Sequence, residues 1–302
     1  MKTISISIPT YNEEENVLPL YEALREQLAS LEEKYDYEIV FIDNKSTDRT
    51  REKIRQLCER DTRVKAIFNT RNFGQNHSSF YGALQTTGDC TICMNADFQD
   101  PPVLLPRIVE AWEQGYKIVC MVKTESRENP LVRAMRTAYY KTLRKLSGID
   151  IIEHFTSFGL YDKSVLDVAR RLNDPDPFPR GMAAEISLGV TTIPYTQEKR
   201  RAGKSSNNLF TLYDLAMLGF VTYTKVIPRL AVLLGGTIAG ASFIGALVCL
   251  IFGKWTALAF LGLFVLGGVQ LIFLGLLGEY IINIQRRSMK RPLVFEEYRL
   301  NF

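Results

Sequence analysis

Met94-Asn95-Ala96-Asp97-Phe98-Gln99-Asp100-Pro101-Pro102 is the stretch on which the reading of this chain turns. The apolar run Cys90–Met94 before it predicts a short strand, entered through a Gly88-Asp89 turn. Pro101-Pro102 predicts the opening of a helix, with Asp100 as N-cap and proline tolerated in the first turn. The acidic and amide side chains then stand at the carboxyl end of a strand, where open α/β sheets carry their ligand crevices. On an extended segment Asp97 and Gln99, two apart, share one face. Both can offer oxygen there to one hard cation such as Mg²⁺ or Mn²⁺. The plainer reading of the same residues is a capped strand-to-helix turn.

Outward from that stretch, strand and helix signals alternate. Ile4-Ser5-Ile6-Ser7-Ile8 has the period of a strand and stops at Pro9; a polar turn leads into a helix to about Leu31. Tyr37–Ile42 is a second strand running into Asp43-Asn44-Lys45-Ser46-Thr47-Asp48, whose short polar side chains can cap a helix over 49–59. Val64–Phe68 is a third strand, followed by a loop over 71–76 and a helix to about Thr86. Beyond the central motif come a helix over 101–114, a strand over 116–122, a helix near 163–172 and a strand near 190–195. The alternation predicts an α/β fold with a mostly parallel sheet and helices on both faces. No G-x-G-x-x-G follows the first strand, which disfavours a plain dinucleotide fold.

The 302 residues are 46% hydrophobic and 23% charged, ordinary for a globular chain, and the net charge of +4 is too small to imply nucleic acid as a partner. Five cysteines without disulfide-like spacing read as small buried residues. That includes the Cys90/Cys93 pair, which lacks the second pair a zinc site requires. A solitary histidine such as His154 reads as structural. Basic residues over 123–145 form a loop containing Arg127, then a helix with one cationic face, which a solvated surface would also explain. Lys199-Arg200-Arg201-Ala202-Gly203-Lys204-Ser205-Ser206 gathers four cations around a glycine, a composition suited to phosphate or to a basic surface turn.

The last third is different. Residues 208–224 carry a broad apolar stripe, fit for an interfacial helix or a core helix. Leu230–Phe252 and Ala257–Gly278 hold no charge, and each exceeds the ~20 residues needed to cross a bilayer. Gly253-Lys254-Trp255-Thr256 between them predicts a hairpin. Lys225, Arg229, Arg286, Arg287, Lys290 and Arg291 flank the pair, placing both ends on the cytoplasmic side. No signal peptide precedes the first strand. The expected division is a cytoplasmic domain over 1–207, an interfacial helix or linker over 208–228, two transmembrane helices over 229–285 and a basic cytoplasmic tail over 286–302. Two spans form a bundle only if copies associate into a homo-oligomer, and the residues leave the oligomeric state open.

Taken together, Ile8-Pro9-Thr10-Tyr11-Asn12-Glu13-Glu14, Ile42-Asp43-Asn44-Lys45-Ser46-Thr47-Asp48, Asn72-Phe73-Gly74, Gly88-Asp89, Asn95-Ala96-Asp97-Phe98-Gln99-Asp100-Pro101-Pro102, Arg180-Gly181 and Arg201-Ala202-Gly203-Lys204-Ser205 resemble the family 2 glycosyltransferases of the polyprenyl-phosphate type. The resemblance spans essentially the whole chain. It implies a GT-A nucleotide-sugar-binding fold, a UDP- or GDP-sugar donor, a divalent cation and a polyprenyl phosphate acceptor at the inner membrane. It further implies that Pro9, Tyr11, Glu13 and Asp43 line the nucleoside, with Asn95, Ala96 and Asp97 also on the donor. Asp97 and Gln99 would hold the metal, Arg201 and Lys204 would grip phosphate oxygens, and Arg127 would meet the lipid phosphate or close over the donor. UDP-glucose and UDP-N-acetylglucosamine are the donors expected; the base and sugar are not fixed by the residues.

Three positions depart from the family pattern. Asn95 replaces the first aspartate of D-x-D, which removes a negative charge. Ser206 stands where a lysine usually follows the serine of the basic cluster, and Lys204 just before that serine is the substitute. Ser157 replaces the acceptor-loop aspartate, with Gly159 in the usual arginine place. A phosphate monoester with a second pKa of about 6 is already mostly dianionic near neutral pH and scarcely needs a general base. The rivals are a processive polysaccharide synthase, which usually carries a Q-x-x-R-W absent here, a non-catalytic nucleotide-sugar-binding membrane subunit, and a transporter.

Overall fold

The first three strands of the chain pair side by side, rich in Ile, Val and Phe and covered by helices on both faces. A computed structural model describes residues 1–125, 130–147, 152, 154–175, 177–198, 201, 216–219, 237, 256–288 and 292–302. β1 (Lys2–Thr10), β2 (Tyr35–Asp43), β3 (Val64–Asn69) and β4 (Cys90–Cys93) are parallel, in the order β4-β1-β2-β3. β5 (Ile118–Glu125) and β7 (Val190–Thr196) pair parallel beyond them, and β6 (Phe155–Asp162) runs antiparallel between β4 and β5. The predicted α/β class with a mostly parallel sheet is observed.

Helices cover both faces. α1 (Val17–Ala29), α2 (Thr50–Arg60) and α4 (Leu105–Glu113) close the larger core around Ile4, Ile6, Ile8, Phe41 and Phe68. α3 (Gln75–Gln85), α6 (Lys163–Leu172) and α7 (Pro179–Ile186) lie on the other face, over Cys93, Ile118, Cys120 and Phe155. α5 (Pro130–Ser147) packs through Tyr139 on the short helical piece 216–219. Cys90 and Cys93 belong to the two different cores, so their sulfurs lie on opposite faces of the sheet and share no site. Both are buried and free, and burial pushes the Cys93 thiol up to about 12, as expected of small core residues. His154 packs edge-on against Tyr140.

Two corrections concern β6 and the chain end. The expected acceptor loop around Ser157 is strand β6, with Ser157 itself at φ 72°. Gly159 has no room for a side chain: a Cβ there would run into the carbonyl oxygen of Val119 on β5. The tail expected over 286–302 contains an eighth strand, β8 (Glu296–Leu300), antiparallel to β3. It caps an edge that would otherwise leave a row of backbone groups unpaired. Tyr298 stacks on Phe68 at 4.5 Å, and the Asn301 side chain donates to the carbonyls of Cys58 and Val64 at 2.8 Å each.

α8 (Thr256–Ser288) is a 33-residue helix, about 50 Å long at 1.5 Å per residue. Its Leu266–Gln285 stretch is long and apolar enough to cross a bilayer, and none of it is buried. The first predicted span, 230–252, lies outside the described residues except for Thr237, so the two-helix hairpin is not observed. The interfacial segment over 208–228 is described only at 216–219.

Asp162 ties the lower edge of the sheet together. Its carboxylate caps α6 through the Ser164 amide at 3.0 Å, and accepts from Trp112 Nε1 at 2.8 Å and Lys117 Nζ at 3.3 Å. Burial pushes this carboxyl up, but the hydrogen bonds from Ser164, Trp112 and Lys117 overcome it and hold it at about 2. The native value lies below the ~3.9 of an unfolded aspartate, so the stabilisation is present above that value and is lost as pH falls towards 2. Asp162→Asn is expected to lower stability near neutral pH by roughly 1–2 kcal/mol. Thermal melts of both proteins across pH should converge in strong acid.

Candidate active site

The carboxyl ends of β1, β2 and β4 point the same way. The chain goes from β1 to β2 and β3 on one side, then crosses to β4 on the other. The switch point between β1 and β4 is where an open α/β sheet leaves a crevice. Pro9, Tyr11 and Glu13 arrive there from β1, Asp43 from β2, and Asn95, Ala96, Asp97 and Gln99 from β4.

The loops after β1 and β2 are zipped together. Asn12, at φ 56°, donates its amide to Ser46 Oγ at 2.9 Å, and its side-chain oxygen accepts from Thr47 N at 2.8 Å. Glu13 N donates to Thr50 Oγ1 at 2.8 Å, and the Glu13 carboxylate accepts from Asn16 Nδ2. Asp48 Oδ1 accepts from Thr50 N at 3.0 Å, but the N-cap of α2 is Arg49 and no side chain caps it, so the cap expected from Ser46, Thr47 or Asp48 is not formed. Tyr11 is left partly exposed at the rim. Asp43 is fully buried; its carboxylate accepts from Ser46 N, and Arg51 Nε stands 3.2 Å away. Burial raises this carboxyl, against the Ser46 hydrogen bonds and the Arg51 charge.

An asparagine web that sequence reasoning missed joins the third loop. Asn44 Nδ2 donates to Asn72 Oδ1 at 2.8 Å, while Asn44 Oδ1 accepts from Asn69 Nδ2 and Phe73 N. The only signal for it was three asparagines at or shortly after strand ends: Asn44 just past β2, Asn69 closing β3 and Asn72 in the loop beyond it.

The central motif departs from its expected geometry. It is a tight turn, not an extended segment: Phe98 has φ 62°, and Asp97 Oδ1 accepts from Gln99 N at 3.1 Å. Asp97 and Gln99 therefore meet through a turn closed by the Asp97 carboxylate, not through strand alternation. Asp100 is not the N-cap. It is fully buried, and accepts from Asn95 N and Nδ2 at 2.9 Å and from Tyr195 OH at 3.2 Å. A 3₁₀ turn over Pro102–Leu104 starts the following helix without a side-chain cap. Burial pushes Asp100 up to about 7, against the Asn95 amide. Asn95 also accepts from Gln75 Nε2 at 2.8 Å, so the residue that replaces the usual aspartate gives Asp100 an N–H that a carboxylate cannot. The Ala96 side chain packs into the core, leaving its backbone as the group available to a donor.

Arg201 is brought to this turn: its amide donates to the Asp97 carbonyl at 3.2 Å, and its guanidinium lies 5.0 Å from the Phe98 ring centre. Ser157 is half-buried on β6, beside Phe158, which contacts Tyr195 and through it Asp100. Arg127 and Lys204 lie outside the described residues. Among the described residues no three His, Cys, Asp or Glu side chains are grouped to hold a metal by themselves. The donors present are one carboxylate and one amide, all hard oxygen. They fit Mg²⁺ or Mn²⁺, which commonly takes one or two carboxylates and completes its shell with substrate phosphates.

The sequence model described as Glycosyl transferase family 2 matches residues 5–169, more than half of the chain. The bactoprenol glucosyl transferase of Shigella phage SfX is 32% identical over 299 residues, 96% of this chain and 97% of that one. The uncharacterized glycosyltransferase YkcC of Bacillus subtilis (strain 168) is 31% identical over 297 residues, 96% of this chain and 91% of that one. Among solved structures, a glucosyl-3-phosphoglycerate synthase from Mycobacterium tuberculosis aligns with a TM-score of 0.47 and 17% identity, covering 73% of this chain and 78% of that one. At that distance it bears on neither donor nor metal here. The chain belongs to glycosyl transferase family 2. It is accordingly a glycosyltransferase, and its mostly parallel α/β architecture is GT-A-like.

Proposed function

We propose that this enzyme is a membrane-bound inverting glycosyltransferase that moves glucose from UDP-glucose to polyprenyl phosphate. The observation that carries the reading is the hydrogen bond from Arg201 to the Asp97 carbonyl, which joins a cation to an acidic turn at the sheet's switch point. The relatives named bactoprenol glucosyl transferase, similar over almost the whole chain, support the lipid acceptor and the sugar. The unburied apolar stretch of α8 supports insertion in the bilayer. With 230–252 as the first span, the topology would be a hairpin with the catalytic domain and both ends in the cytoplasm.

Pro9, Tyr11, Glu13 and Asp43 would line the nucleoside, with Asn95 and the Ala96 backbone beside it. Asp97 and Gln99 would hold a divalent cation, which when bound offsets charge on the leaving diphosphate. Arg127, Arg201 and Lys204 would orient phosphate oxygens of donor and acceptor. An acceptor phosphate oxygen attacks the anomeric carbon as the bond to UDP breaks, inverting that centre. The dianionic phosphate is nucleophilic enough that Ser157 need not be a base; positioning and charge neutralisation supply the rate.

Purified protein incubated with radiolabelled nucleotide sugars and undecaprenyl phosphate is expected to yield lipid-linked glucose from UDP-glucose. Nucleotide binding without glycolipid from any donor would instead favour a non-catalytic subunit. Arg201→Ala is expected to lower kcat/KM about 10²-fold, the scale of one lost charge-stabilising donor. Unchanged transfer kinetics would remove Arg201 from phosphate binding.

A further inference from the structure

β8, which follows the apolar helix α8 in the chain, reaches the loop that carries Asp43. Glu297 on β8 accepts from Lys45 Nζ at 2.9 Å and from Arg51 Nη2 at 3.0 Å. The same Arg51 guanidinium is ion-paired with Asp43, its Nε 3.2 Å from the carboxylate, although that N–H makes no hydrogen bond among the described residues. It lies beside the stacked Phe68–Tyr298 pair, 5.0 Å from the centre of Phe68 and 5.7 Å from that of Tyr298, itself a β8 residue. One planar guanidinium thus spans a buried carboxylate at the end of β2 and a carboxylate on the chain's last strand. Lys45, at φ 63°, is drawn to Glu297 as well, so the start of the loop after β2 and the first turn of α2 are both tied to β8.

We propose that the C-terminal strand is a working part of the donor pocket, with Glu297 a positioning residue that fixes Asp43 for the nucleoside through Arg51. This rests on the reading of Asp43 as a nucleoside contact. The pocket is complete only when the chain returns from α8 and docks on β3, so nucleotide affinity depends on a segment more than 250 positions away in sequence. A bare structural strap would need only the backbone ladder, the Tyr298–Phe68 stack and the Asn301 hydrogen bonds. Glu297, 40% exposed, adds nothing to those contacts. Its two partners lie just after Asp43, Lys45 on the loop that follows β2 and Arg51 in the first turn of α2.

The test uses full-length protein in detergent, with UDP as the probe in calorimetry and thermal melts as the second readout. Glu297→Gln is expected to weaken UDP about fivefold, a coupling of ordinary size between contacting residues, with an unchanged melting temperature. Arg51→Lys, which keeps the charge but cannot span both carboxylates, should weaken UDP similarly. Asp43→Asn should weaken UDP more, and Glu297→Gln should then add no further loss. Glu297→Gln with wild-type affinity while Asp43→Asn binds weakly would overturn the positioning role and leave the nucleoside reading standing. Asp43→Asn with wild-type affinity would overturn both. Losses that add in the double variant, accompanied by a lower melting temperature, would reduce β8 to a strap.

Discussion

Asp97→Ala is expected to lower glycosyl transfer by about 10²–10³-fold, the cost of removing one preorganised charge-stabilising group. Asp97 is 3% exposed and does three things at once. Its carboxylate closes the turn by accepting from Gln99 N, its carbonyl receives Arg201 N, and its charge is the one carboxylate of the motif that we assign to a cation. Asp97→Asn separates these, because the amide oxygen can still accept from Gln99 while the charge is gone. The asparagine variant should therefore melt like the wild type and still lose most activity, with the residual rate requiring far more Mg²⁺ or Mn²⁺. The alanine variant should also lose stability, since Phe98 at positive φ then lacks the bond that holds it. Full transfer by Asp97→Ala in purified membranes would sink the metal assignment.

The second large effect is on folding. Gly159→Arg installs the residue usual in the family at that place, yet it is expected to destabilise the protein by at least about 3 kcal/mol. β6 is enclosed by β4 and β5, with Cys93 and Cys120 as the partners of Gly159. The first side-chain atom would overlap a backbone oxygen of Val119, and a sheet strand cannot yield as a flexible side chain can. Little folded enzyme should be recovered, as read by size-exclusion profile and melting. Ser157→Asp, two residues earlier at a half-buried position, should fold normally. It should leave the rate within about threefold if the acceptor is the polyprenyl phosphate we propose, whose second pKa near 6 leaves no proton for a base to remove. A large gain in rate from Ser157→Asp would show that proton removal limits the reaction after all.

These two positions mark where sequence reasoning succeeds and where it stops. The α/β class was legible because strand signals over Ile4–Ile8, Tyr37–Ile42 and Val64–Phe68 recur with helical stretches between them, the alternation that a mostly parallel sheet requires. The placing of Asp43 and Asp97 at strand ends followed from the same periodicity. The geometry inside the motif did not. Asp100 has the local sequence of an N-cap, but Tyr195 and Asn95 claim its carboxylate, and Tyr195 is almost a hundred residues distant. Local pattern gives the commonest partner; burial against a remote strand gives the actual one.

By itself, then, the order of residues determined the class of sheet, the acidic turn at the end of β4, the buried state of the C-x-x-C cysteines and the apolar character of the stretch now seen as α8. Those depend on periodicity and composition, which any short window carries. Tertiary structure alone decided that β6 is a strand with no space at Gly159, that three asparagines knit the crevice loops, and that the last residues return to complete the sheet beside Asp43. Each of these is a pairing between segments far apart in the chain, and its energy comes from surfaces that exist only once both partners are folded.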